Sequence, residues 1–91
     1  MEKPMKLKDG FILRKIPGMN LIIPAGENIK TFKGALMLND TAAFVYERLQ
    51  SGVSREEIAE QMTQEYDVTL EKAQEGVEKA ILQLVEGGVA Q

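Results

Sequence analysis

The chain has 91 residues, enough for one compact core and too few for two. It contains no Cys, His or Trp, which excludes thiol nucleophiles, disulfides, Cys/His zinc sites, Ser-His-Asp triads and imidazole acid–base chemistry. The net charge of −3 conceals a polarity: residues 1–38 carry +4 and residues 39–91 carry −7. The first four residues, Met1-Glu2-Lys3-Pro4, lead into no apolar run of the signal-peptide kind. No segment reaches the roughly 20 apolar residues of a membrane span. These features, with the absence of Cys, point to a single cytoplasmic domain over residues 1–91, with residues 1–6 expected to be flexible and no contact with membrane.

In chain order, residues 11–16 (Phe-Ile-Leu-Arg-Lys-Ile) read as a first strand and residues 19–24 (Met-Asn-Leu-Ile-Ile-Pro) as a second. Pro17-Gly18 between them suits a tight turn, Pro presetting φ and Gly accepting φ > 0. Pro24 lacks an N–H and should end the second strand. Ala25 to Asn28 reads as a loop, and Thr31 to Gly34 as a loop or short extension. Ala35 to Leu38, apolar and bounded by Gly34 and Asn39, reads as a third strand.

From Asn39 the apolar period changes from 2 to 3.6. Asn39 or Asp40 can cap a first helix whose apolar face is Ala42, Val45, Tyr46 and Leu49, closing at Gly52. Ser54-Arg55-Glu56-Glu57 is a capping box for a second helix, expected to bury Ile58, Met62 and Tyr66. Asp67-Val68 break it. Thr69 caps a third helix that runs to about Glu86 and stops at Gly87-Gly88. The second and third helices, a few residues apart, make a helix-turn-helix connection. The expectation is an α+β, winged-helix-like domain: a three-stranded antiparallel sheet followed by three helices.

Two features invite a functional reading. On the third helix, at 100° per residue, Leu70, Ala73, Val77, Ile81 and Leu84 fall within about 80° and should face the core. Leu82 and Val85 lie on one flank, with Gln74 and Glu78. They either pack against the strands or a neighbouring chain, or line a groove for an apolar ligand. The third strand has no charge and no Pro, so as an edge it would be a template for another backbone. It is either covered, or adds a peptide as a further strand, or pairs two copies of the chain in a homodimer.

A winged helix also raises the alternative of a DNA-binding regulator. The helices argue against nucleic acid. Residues 55–65 hold Arg55 against Glu56, Glu57, Glu60 and Glu65, and residues 70–86 hold Lys72 and Lys79 against Glu71, Glu75, Glu78 and Glu86. Such surfaces repel phosphate. Enzymatic signals are weak: Glu56 and Glu57 diverge by about 100° on a helix, and no Gly-rich phosphate loop is present. The serines, Ser51 and Ser54, do not follow Asp as the attachment Ser of an acyl carrier protein does. The reading assigns no catalytic residue, no metal and no cofactor.

The run Gly34-Ala35-Leu36-Met37-Leu38-Asn39-Asp40-Thr41-Ala42-Ala43-Phe44-Val45-Tyr46 resembles the Leu-Asn-x-Thr-(Gly/Ala)-x-x-(Ile/Val)-(Trp/Tyr) signature of the coenzyme PQQ synthesis protein D (PqqD-like) family. Leu49 to Ile58, with Gly52, Ser54 and Glu57, is similar to the stretch that follows in that family, as are Tyr66-Asp67-Val68 and the closing Gly87-Gly88-Val89. Tyr46 stands where many relatives have Trp. The resemblance covers about residues 7–91. It implies a non-enzymatic peptide chaperone, or RiPP recognition element, that binds the leader of a ribosomally made precursor peptide. The precursor is then presented to a modifying enzyme, often a radical S-adenosylmethionine protein. The implied leader site is the third strand, Ala35, Leu36, Met37 and Leu38, with the third helix beside it. The helix flank Gln74, Glu78, Leu82 and Val85 is the side inferred from periodicity.

Overall fold

The computed structural model describes residues 6–32 and 34–91. Strands β1 (Phe11–Ile16), β2 (Met19–Pro24) and β3 (Leu36–Leu38) form an antiparallel sheet in the order β1-β2-β3. Helices α1 (Asn28–Thr31), α2 (Asp40–Gln50), α3 (Arg55–Glu65) and α4 (Leu70–Glu86) complete the domain. The expected first, second and third helices are α2, α3 and α4, and the fold is the anticipated winged-helix-like α+β arrangement. Gly18 turns the β1–β2 hairpin with φ of 80°, as its place after Pro17 requires. Leu7 bridges to Ala90, and Lys6 and Gln91 exchange backbone hydrogen bonds, so the two ends of the domain meet. The expectation of flexibility lies outside the described residues for 1–5, as does that of an extension or loop at Lys33.

The caps act as the sequence implies. Asn39 accepts from the Ala42 N–H, Ser54 from Glu57 and Thr69 from Lys72, each satisfying a first-turn donor. One element differs. A single helical turn, α1, occupies part of the segment read as loop. Four residues are too few to show a period. Tertiary contacts hold α1: Asn28 Nδ2 donates to the Asp9 and Gly10 carbonyls, and Phe32 meets Phe11 edge-on at 4.9 Å. β3 also starts one residue later than expected, leaving Ala35 before it and exposed.

The core lies between one sheet face and the helices. Ile22 and Leu38 come down from the sheet onto Val45 and Tyr46 of α2, with Ile58 of α3 and Val77 and Leu84 of α4. Helix α4 packs against both α2 and α3. Because α2 is enclosed on several sides, residues 42–46 are all buried, wider than the single face expected. Arg48 closes the remaining side, its guanidinium 3.9 Å from the Phe44 ring centroid.

Two expected core residues are not buried. Tyr66 is 37% exposed, because α3 ends at Glu65 and Tyr66 has an extended backbone that takes it off the helical face. Its ring instead lies edge-on to Phe44 at 5.6 Å. Leu70 is exposed as the first residue of α4, one turn before the helix enters the core at Ala73.

Burial pushes the Tyr46 phenol above its usual value of 10.0, and its oxygen accepts from Gln50 Nε2 at 3.2 Å. The unfolded chain therefore releases this proton first. The stabilisation is intact below pH 10 and is lost as pH rises through the higher native value. Tyr46→Phe should cost about 1 kcal/mol at neutral pH through the lost hydrogen bond. Denaturant titrations should also show a shallower loss of stability above pH 10 than in the wild type.

Candidate functional site: the open edge of the sheet

Both β1 and β3 are edge strands, but they are not equivalent. β1 carries Arg14 and Lys15, and Lys15 reaches Glu47 of α2 at 2.6 Å. Charge of this kind discourages pairing with a foreign strand. β3 carries no charge at all. It is three residues long and pairs on one side only, so its placement needs help from side chains.

Asn20 supplies that help. It is 7% exposed on the core side of β2, opposite Leu38 in the register. Its Nδ2 donates to the Leu38 carbonyl at 3.2 Å and to Asp40 Oδ1 at 2.9 Å. One amide thus fastens the end of β3 and the first residue of α2 to the central strand. Leu38 is buried beneath, while Met37 points the other way and is 60% exposed.

On the free side of β3, Gln83 Nε2 of α4 donates to the Met37 carbonyl at 2.9 Å. In an antiparallel strand the N–H and C=O of one residue point to the same side. The Met37 N–H therefore also faces the open edge. Gln83 shows which side of α4 looks towards β3. Gly76, Lys79, Ala80 and Gln83 border a shallow cavity of about 190 Å³ with Asn39 and Thr41. Its helix wall is kept low by Gly76 and Ala80. At the end of α4, a Cβ on Gly87 would lie 2.6 Å from Leu36 Cδ2, so the missing side chain leaves room for the Leu36 side chain.

The flank inferred from periodicity faces elsewhere. Measured around α4 from Gln83, Gln74 is about 180° away, Val85 about 160°, Glu78 about 140° and Leu82 about 100°. Gln74 and Glu78 border a different cavity, of about 180 Å³, with Arg55 and Glu56 of α3. Glu78 is paired there with Arg55 Nη1 at 3.1 Å. Leu82 and Val85 are exposed, at 57% and 40%. The structure thus brings Met37 to Gln83 and Leu36 to Gly87, sets Gly76 and Ala80 beside Asn39 and Thr41 just beyond β3, and keeps Gln74 and Glu78 on the α3 side. No periodicity signal marks Gln83, a polar residue outside the apolar sector. A wider depression of about 500 Å³ lies between residues 6–11 and the end of α2, beside β1 and two strands from β3.

Every Glu of α3 and α4 is exposed, so the helix-turn-helix surface is acidic. Among the described residues no three acidic, His or Cys side chains come together as a metal site, and no helix is long and apolar enough to cross a membrane.

A winged-helix-like domain with an uncharged edge strand beside a long amphipathic helix is the class of protein defined here. The model of the family "Coenzyme PQQ synthesis protein D (PqqD)" matches residues 24–90, and the chain belongs to that family. No curated protein sequence matches the chain. Among solved structures it is similar to one described as "Lasso peptide synthetase B1 complexed with the leader peptide". The TM-score is 0.77 at 25% identity, over 96% of each chain. It also shares the fold of "TbiB1 in Complex with the TbiA(beta) Leader Peptide", with a TM-score of 0.76 at 16% identity over 94% of each chain.

Asn20→Ala should lower stability by about 1–3 kcal/mol, the net worth of its two side-chain hydrogen bonds to Leu38 and Asp40. Native-state hydrogen exchange should show the change concentrated at residues 36–40, with the β1–β2 hairpin nearly unaffected.

Proposed function

We propose that this protein binds the leader segment of a ribosomally made precursor peptide as a fourth strand on β3 and presents it to a modifying enzyme, itself performing no chemistry. The observation that carries this reading is the uncharged open edge of β3, with the Met37 backbone directed outwards and the low wall of α4 alongside. Main-chain hydrogen bonds would supply affinity, and the cleft would select alternate leader side chains. Membership of the PqqD family supports it, as does similarity to a lasso peptide synthetase B1 described in complex with a leader peptide.

The leader site is Ala35, Leu36, Met37 and Leu38, with the α4 side bearing Gly76, Ala80 and Gln83. Leu82, nearest to that side among the four flank residues, can meet a leader side chain that crosses α4. Gln74, Glu78 and Val85 contribute only if the peptide wraps round the helix. The Gln83 amide holds the Met37 carbonyl in the free protein and has to share or release it when a strand adds. The enzyme partner implied by the sequence resemblance is a radical S-adenosylmethionine maturase. Precursor peptides emerge from ribosomes, which places the encounter in the cytoplasm. Ordering a flexible leader costs conformational entropy, so the expected affinity is moderate.

The test is a calorimetric titration with the leader of a short precursor encoded beside this chain, followed by chemical-shift mapping. Met37→Pro removes an edge N–H without touching the ladder to β2. It should weaken leader binding by roughly tenfold, the ~1.4 kcal/mol of one good hydrogen bond, with an unchanged circular dichroism spectrum. Shift changes confined to residues away from β3 and α4 would overturn the reading.

A further inference from the structure

The helices cover one face of the sheet. The other face is exposed, and its composition is unusual. Antiparallel sheets with one solvated face usually alternate apolar inward with polar outward. Here the pleat turns Ile12, Arg14 and Ile16 of β1 outward, opposite Ile23, Leu21 and Met19 of β2, and Met37 continues the row from β3. Ile12 and Ile16 are 49% and 50% exposed, and Met19 is 40% exposed. Arg14 is the single charge among these residues, and no carboxylate pairs with it among the described residues. Nothing in the core explains this arrangement, since Ile22 and Leu38 already fill the opposite face.

We propose that this outer sheet face is the docking surface for the modifying enzyme, which meets it with apolar side chains around a carboxylate directed at Arg14. The inference rests on the leader-binding reading above. Three observations select this occupant. A symmetric pair of copies joined through this face would bring Arg14 towards its own copy in a desolvated interface, which is costly. The sheet-bearing half of the chain is net positive, and so favours an acidic partner. Met37 belongs both to this face and to the open edge. A strand added to β3 therefore extends the same face with every second leader side chain.

That continuity gives the face a further property. Alone it offers on the order of a few hundred Å² of apolar surface. A stable interface needs about 800 Å² from each partner. The bound leader supplies part of the difference, so the enzyme should bind the loaded protein more tightly than the empty one. One flat surface would then report whether a leader is present.

The experiment uses the full chain, a synthetic leader and the purified enzyme encoded beside it. Ile12→Asp and Ile16→Asp alter β1, two strands from the leader edge. Arg14→Glu reverses an already exposed charge and serves if the apolar replacements disturb folding. Leader affinity, measured first, should stay within about twofold of the wild type. Enzyme affinity for the loaded protein should fall by roughly tenfold or more, and Arg14→Lys should retain most of it. Undiminished enzyme binding by folded variants that still hold leader overturns the proposal. So does wild-type self-association by sedimentation that Ile12→Asp abolishes, which assigns the face to a second copy. A wild type that binds no leader instead refutes the strand-addition reading at the first step, and this inference with it.

Discussion

β3 has three residues and a neighbour on one side only, so its own ladder is too short to hold it. Its position depends on Asn20, whose amide ties the Leu38 carbonyl and Asp40 to the central strand, and on Leu38 seated in the core. These attachments come from β2 and from below. The opposite edge meets no other strand, and of the two edge strands β3 is the one without charge. The same anchor sets where α2 begins, and through α2 it sets the helices that form the second wall of the cleft.

The electrostatic division follows the layers. The sheet-bearing half is positive, and the helices carry outward carboxylates along α3 and α4. In a DNA-binding winged helix the helical surface has to neutralise phosphate, and here it would repel it. The same architecture here presents an uncharged strand edge in place of a basic helical face. The apolar outer sheet face adds a second surface next to the first, joined at Met37.

Much of the fold was legible in the chain. Asn39, Ser54 and Thr69 mark helix starts because a cap is a local hydrogen bond between residues three apart. Pro17-Gly18 marks the hairpin because its φ angles are local too. Helix α1 was hidden, since four residues cannot display a period and its anchors, Asn28 to residues 9 and 10 and Phe32 to Phe11, are distant in sequence. Tyr66 looked like a core residue because the periodicity continued through it, yet α3 stops one residue earlier.

The site divides in the same way. The sequence by itself determined that β3 is apolar and uncharged, that α4 is amphipathic, and that the family pattern runs from Leu38 to Val89. Only the tertiary structure decided which side of α4 meets β3. Periodicity locates an apolar sector but not the rotation of its two borders against neighbouring elements. That rotation is set by packing on α2 and α3, which takes Gln74 and Glu78 to Arg55 and brings Gln83 to Met37. The exposure of the outer sheet face was likewise undetermined by alternation, which separates two faces of a strand without saying which one the helices will cover.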